Sequence, residues 1–201
     1  MHLAGLLGLQ ASYTHNLFIA LTPFNLIVTG SIVLLFHGDF SRSFVVFALV
    51  TGLAGYLVEV AGVHTGYIFG EYTYGSVLGY SWWGVPLLIG LNWFILIYCT
   101  GVIVNRWQAA SWQKALLAAG MMVLLDLFIE PVAIRYGFWS WQGNRVPLQN
   151  YVAWFGVSWL LLLLFYRLPF RKNNPIVRVV YAAQLLFFAG TLLSRKLLSL
   201  F

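Results

Sequence analysis

Read for its pattern of apolar and polar positions, the chain falls into six long apolar stretches separated by shorter polar or aromatic ones. The windows run over 17–36, 44–63, 84–104, 113–134, 151–168 and 176–194. Each approaches the roughly 20 apolar residues a helix needs to cross a hydrocarbon layer. The pattern predicts an all-α polytopic membrane protein with about six transmembrane helices. Three connections, 37–43, 105–112 and 169–175, are short and polar. The other two, 64–83 and 135–150, are longer and rich in glycine and aromatic residues. Alternating helices put both of these aromatic-rich loops on one side of the bilayer. No repeat or low-complexity tract interrupts the pattern, and residues 1–201 suit a single integral membrane domain.

Composition strengthens this reading. The chain is 61% hydrophobic and only 8% charged, where soluble domains carry about 25% charged residues. The first sixteen residues hold no Lys or Arg, so no cleavable signal peptide is expected. The net charge of +6 does not mark a nucleic-acid binder, because the cations sit at helix ends and form no basic stripe. They serve better as topology signals. With the N-terminus outside, Arg42, Arg106, Lys114, Arg167, Arg171, Lys172 and Arg178 fall inside, and Arg135, Arg145, Arg195 and Lys196 outside. Seven against four favours both termini outside. Cys99 stands alone in an apolar segment, which excludes a disulfide and a CxxC site. His2, His15, His37 and His64 form none of the close pairs a di-iron membrane oxygenase uses, so no metal site is expected.

The five acids carry the candidate chemistry. Asp39 lies in a short loop, and Glu71 in a long one reads as a surface residue. Glu59, Asp126 and Glu130 lie within apolar windows, toward the side of the two aromatic loops. A charged side chain at bilayer depth costs roughly 2.5–3.5 kcal/mol even on the mildest scale, and such residues usually face an interior or cavity. The spacing of four puts Asp126 and Glu130 on one helix face. Two carboxylates this close in a low dielectric do not both ionise cheaply, which suggests a neutral acid beside an anionic base. Pro131 removes the partner of the Leu127 carbonyl and favours a kink there. A structural alternative pairs these acids with Arg135 or Arg145 to hold helix ends together. His64 fits an interfacial residue as well as a site residue.

The first aromatic loop carries Tyr67, Phe69, Tyr72, Tyr74, Tyr80, Trp82 and Trp83, and the second Tyr136, Phe138, Trp139 and Trp141. An interfacial aromatic belt explains some of these. It does not explain Trp93 beside Asn92, or Asn150, Trp154 and Ser158 at i, i+4 and i+8, which suggest a polar-aromatic seam facing the interior. Ring faces attract cations and carboxylates stabilise developing positive charge. A carbocation made from a membrane-dissolved alkene fits this arrangement.

The motif E-x-x-G-x-x-TG-x-x-FG-x-Y-x-Y at Glu59–Tyr74 resembles that of membrane carotenoid biosynthesis proteins of the carotenoid 1,2-hydratase type, the gamma-carotene and bisanhydrobacterioruberin hydratase family. Leu78–Gly79, Gly84–Pro86, Trp93, the D-x-x-x-EP of Asp126–Pro131, the W-x-W of Trp139–Trp141, Pro147, Asn150 and Trp154 continue the match, over roughly 55–160. The resemblance implies a cofactor-independent hydro-lyase in a prokaryotic cytoplasmic membrane. Its substrate would be a lycopene- or gamma-carotene-like carotenoid with an acyclic psi end. An acid would protonate C2, and water would capture the tertiary cation at C1. Asp126, Glu130 and Glu59 would be catalytic. His64, Arg135, Arg145 and Asn150 would support them. Tyr72, Tyr74, Trp93, Trp139, Trp141 and Trp154 would line the polyene end. A lycopene cyclase shares the protonation step and differs in what traps the cation. A non-catalytic carotenoid-binding subunit would need no turnover at all. A small transporter is disfavoured by the absence of an inverted repeat.

Overall fold

The computed structural model describes residues 2–11 and 13–198. In chain order its elements are α1 (His2–Gly8), α2 (His15–Ala20), α3 (Thr22–Leu35), α4 (Arg42–Thr65), β1 (Tyr72–Tyr74), β2 (Ser81–Trp82), β3 (Val85–Pro86), α5 (Leu88–Val104), α6 (Ser111–Arg135), β4 (Trp139–Trp141), α7 (Leu148–Arg167) and α8 (Val177–Leu198). The six apolar windows correspond to α3 through α8. Of these, α4, α6, α7 and the Val177–Ser194 part of α8 are long and apolar enough to cross a membrane, while α3 and α5 are apolar but shorter. The chain is an all-α integral membrane protein. The side chains of Arg195 and Lys196, two of the four cations assigned outside, lie beyond the described residues.

Burial explains why α5 is apolar along nearly all of its length. It packs against α3, α4, α6, α7 and α8. All of its residues from Trp93 to Val102 are buried. A helix that is apolar on nearly every face belongs inside a bundle, and this one departs from hydrocarbon chiefly at Asn92 and Thr100. Its neighbour α4 comes very close. A Cβ on Gly90 would lie 2.7 Å from the Gly52 carbonyl oxygen, and one on Gly55 would strike the Trp93 side chain. Only glycine permits this approach.

Two boundaries differ from the hydrophobic pattern, each for a local reason. The window at 17–36 splits into α2 and α3 around Leu21, with Pro23 in the first turn of α3. Proline has no N–H to give to a preceding turn, so it starts a helix better than it continues one. The window beginning at 84 starts instead at Leu88, because Ser81–Trp82 pairs with Val85–Pro86 in a tight antiparallel hairpin. Its two turn residues, Trp83 (φ 49°) and Gly84 (φ 75°), both take left-handed backbone as a two-residue hairpin of this hand requires. The Tyr56 hydroxyl donates to the Trp82 carbonyl and ties the hairpin to α4.

Polar contacts close the opposite end. Asp39 accepts from the backbone amides of Ser41 and Arg171 at 3.1 and 2.8 Å, joining the α3–α4 and α7–α8 connections. These bonds, the Arg171 amide first, hold Asp39 below its ordinary carboxyl value. Below them, Asn174 donates to the Val33 carbonyl (2.9 Å) and the Tyr98 hydroxyl (3.2 Å), and Tyr98 meets His37 Nδ1 at 2.6 Å.

Candidate active site

The two aromatic loops join. β1 and β4 pair antiparallel, with Tyr72 opposite Trp141, Thr73 opposite Ser140 and Tyr74 opposite Trp139. Side chains alternate along a strand, so Tyr72 and Tyr74 share one face with Trp139 and Trp141, while Thr73 and Ser140 share the other. The middle pair is exposed, and its hydroxyls lie 3.2 Å apart. The four rings turn inward, Tyr72 against Trp141 at 4.9 Å between centroids and Tyr74 edge-on to Trp139 at 5.9 Å.

Every one of those rings ends on a carboxylate. Glu59, on α4, accepts from the Tyr72 hydroxyl at 2.5 Å and the Tyr74 hydroxyl at 2.9 Å through Oε2. Its Oε1 accepts from Trp93 Nε1 at 3.0 Å. Glu130, on α6, accepts from Trp139 and Trp141 Nε1 at 2.9 and 2.8 Å through Oε2. The Asn150 amide, from α7, reaches both Glu130 Oε1 (3.3 Å) and Asp126 Oδ2 (3.1 Å). The three acids are 1–2% exposed. Burial is tolerable because donors compensate for lost water. Burial, followed by the Glu59 carboxylate, pushes both tyrosine hydroxyls well above their ordinary range, so they hold their protons and donate.

The compensation is uneven. Glu59 and Glu130 each accept three hydrogen bonds. Asp126 accepts one, and its Oδ1 has no partner among the described residues. The seam expected on α7 is present, since Asn150, Trp154 and Ser158 are all buried, and Trp154 stacks on Trp93 at 4.4 Å.

The structure thus gathers Asp126, Glu130, Glu59, Asn150, Tyr72, Tyr74, Trp93, Trp139, Trp141 and Trp154 into one array. The remaining three candidates stand apart. His64 is exposed and meets the Trp83 carbonyl at 3.2 Å. The Arg135 guanidinium is exposed and lies over the Tyr136 ring at 5.5 Å. Arg145 is exposed just after a short turn. Glu71 is also exposed, and only its carbonyl is engaged, by the Gln142 amide at 2.9 Å.

Two hollows flank the array. On the bundle side lies a cavity of about 330 Å³ whose walls include Phe18, Ile129, Phe138, Phe188 and Trp139. Trp139 belongs to both this wall and the Glu130 hydrogen bonds, so that ring stands between the cavity and Glu130. Asn92 lines it as well, as do Asn25 and Gln184, two amides that the hydrophobic pattern alone passes over. On the loop side, a polar groove lined by His64, Thr65, Glu71, Thr73 and Gln142 reaches Tyr72.

Comparison with known proteins identifies the family. A family described as "Carotenoid biosynthesis protein" matches residues 21–199. The chain belongs to that family. The matched span contains all three carboxylates and all six of their donors. This carotenoid biosynthesis protein is also 35% identical, over 121 residues, to the bisanhydrobacterioruberin hydratase of Haloarcula japonica. That match covers 56% of this chain and 41% of the relative, so the chain is matched to less than half of the length of the archaeal protein. No solved structure matches this carotenoid biosynthesis protein.

Proposed function

We propose that the chain is a carotenoid 1,2-hydratase, adding water across the terminal double bond of an acyclic psi end by acid catalysis. One observation carries this reading. Three buried carboxylates are held by six N–H and O–H donors, of which Trp139 also lines the apolar cavity and Tyr72 the polar groove. On this reading the hydrocarbon end approaches through the cavity, and the groove resupplies the water consumed. Hydration by the archaeal relative, as its name states, supports the same reaction.

Donor counts divide the roles. Asp126, whose Oδ1 has no partner among the described residues, carries the proton and gives it to C2. The electron pair of the double bond forms the new C–H bond and leaves a tertiary cation at C1. In this scheme Glu59 and Glu130, each accepting three hydrogen bonds, supply the negative charge that stabilises the cation, together with the faces of Trp139, Trp141 and the Trp93–Trp154 stack. Water adds to C1, and its surplus proton passes to Glu130. Return of a proton from Glu130 to Asp126, one helical turn away, restores the starting state. The sum is one water gained, with no change of oxidation state. We place the whole 1–201 domain in a prokaryotic cytoplasmic membrane with both termini outside, on the balance of seven inside cations against four.

The test is expression in bacteria that accumulate lycopene or gamma-carotene, grown in 18O-labelled water, with pigments read by chromatography and mass spectrometry. A product heavier by one labelled water supports hydration. A product of unchanged mass and altered absorption identifies a cyclase, with the same acids and a different trap for the cation. Unchanged pigment with the protein present in the membrane rejects turnover of these substrates. Asp126→Asn and Glu130→Gln should each abolish conversion without preventing insertion, and retained turnover in both removes them from the mechanism.

A further inference from the structure

Three neutral amides project into a cavity that is otherwise nearly all hydrocarbon. Asn25 comes from α3, Asn92 from α5 and Gln184 from α8. Gln184 is only 7% exposed, and its Oε1 has no hydrogen-bond partner among the described residues. Turning the amide over would leave its NH2 in the same position, so one end stays unsatisfied either way. The Asn25 side chain has one polar contact among the described residues, 3.5 Å from the Thr29 hydroxyl, which bonds the Asn25 carbonyl more closely at 2.8 Å. A buried amide end without a partner, as at Gln184, is costly inside a membrane bundle, and two half-buried amides from separate helices line the same hollow. They call for a small group that both donates and accepts.

We propose that Gln184, with Asn25 and Asn92, forms a subsite for a neutral hydroxyl group within the apolar cavity. A charged group is disfavoured there, because the described residues that line the cavity are all uncharged. A hydroxyl fits, since it can donate to one amide oxygen and accept from an amide N–H. It can come from two sources, a water molecule or an alcohol on an isoprenoid end. Under the hydratase reading, on which this assignment of sources rests, these are the water consumed and the tertiary alcohol formed. Gln184 is then a positioning residue that discriminates hydrated from unhydrated ends and keeps water where the cation needs it.

Two probes matched to the cavity separate the sources. They are the ten-carbon alkene 2,6-dimethyloct-2-ene and its hydrate 2,6-dimethyloctan-2-ol, titrated into the detergent-solubilised protein with binding followed by tryptophan fluorescence. If the amides hold the alcohol, the wild type prefers it over the alkene by roughly two- to tenfold, the worth of one satisfied neutral hydrogen bond. Gln184→Leu abolishes the preference with alkene binding kept, and Gln184→Asn retains part of it. If they hold water alone, both probes bind alike, but Gln184→Leu lowers the share of hydrated carotenoid and raises that of isomerised or cyclised carotenoid. Equal probe binding together with an unchanged product share in Gln184→Leu overturns the proposal. The probe arm needs no turnover, so Asp126→Asn should show the same alcohol preference. A failure of the hydratase reading is thereby distinguishable from a failure of this one.

Discussion

Replacing Gly55 by alanine tests how packing between α4 and α5 sustains the carboxylate array. The new Cβ would lie 2.8 Å from Trp93 Cδ1 and nearer still to its Cγ and Cβ, where ordinary contact begins near 3.4 Å. Rotation about the Trp93 side chain does not relieve a clash with its own Cβ, so the helices must separate or the indole must leave. Overpacking of this kind costs about 1–3 kcal/mol. If the indole leaves, its 3.0 Å hydrogen bond to Glu59 goes too, and a bond to a charged group is worth about 1.5–3 kcal/mol. At about 2–4 °C per kcal/mol for a chain of this size, melting should fall by roughly 5–20 °C. The assay is thermal unfolding in detergent followed by tryptophan fluorescence, with pigment conversion measured alongside. Gly120→Ala, in α6, is the control: nothing lies within 4 Å of its Cβ position, and alanine should be neutral or slightly stabilising there. If Gly55→Ala melts together with Gly120→Ala, the close approach of α4 and α5 does not constrain the site.

Three further outcomes are expected. Trp139→Phe and Trp141→Phe each keep a ring but delete one donor to Glu130, so pigment conversion should fall roughly 10- to 100-fold in each, by about 1.5–3 kcal/mol per charged hydrogen bond, while Trp154→Phe, which keeps the stack on Trp93, should stay within a few-fold of wild type. Tyr98→Phe strips both His37 and Asn174 of a partner and should lower stability by about 1–3 kcal/mol, read as a lower melting temperature with conversion preserved at permissive temperature. Burial holds His37 below its ordinary value, so its contribution is present above the unfolded imidazole pKa of about 6.5 and is lost as pH falls below it. His37→Gln should therefore narrow the melting difference between about pH 5 and about pH 8, and an unchanged difference would remove His37 from the balance.

Much of this was readable along the chain, and the remainder was hidden for identifiable reasons. Apolar windows mark helices because the bilayer demands continuous hydrocarbon; five of the six gave one helix, and 17–36 gave two. The Asp126–Glu130 spacing needed only the helical period. Y-x-Y and W-x-W carry the period of a strand, yet nothing local says that Tyr72 pairs with Trp141, because that contact spans 69 positions of sequence. The same distance hid which acid each donor serves. Arg135 and Arg145 looked like partners by proximity in sequence, but their side chains end in the exposed loop region. Gln184 had a signal, a polar residue within "YAAQLLFF", but an amide costs less to bury than an acid and so draws less notice. Asp39 was read as an ordinary loop residue, since its partner at Arg171 belongs to a distant connection.

The order in which the hydrogen-bond donors appear has a consequence for biogenesis. Tyr72, Tyr74 and Trp93 all follow Glu59, and Trp139, Trp141 and Asn150 all follow Asp126 and Glu130. During synthesis each acid therefore reaches the translocon before anything that will accommodate it has been made. Glu59 waits for residue 93, and Asp126 for residue 150. A ribosome stalled between these points leaves a nascent chain with naked carboxylates at membrane depth, an obvious mark for membrane proteases. Completion of α7 is the step that turns a degradable intermediate into a settled protein, and shortening the chain before Asn150 should cost abundance far more than removing α8.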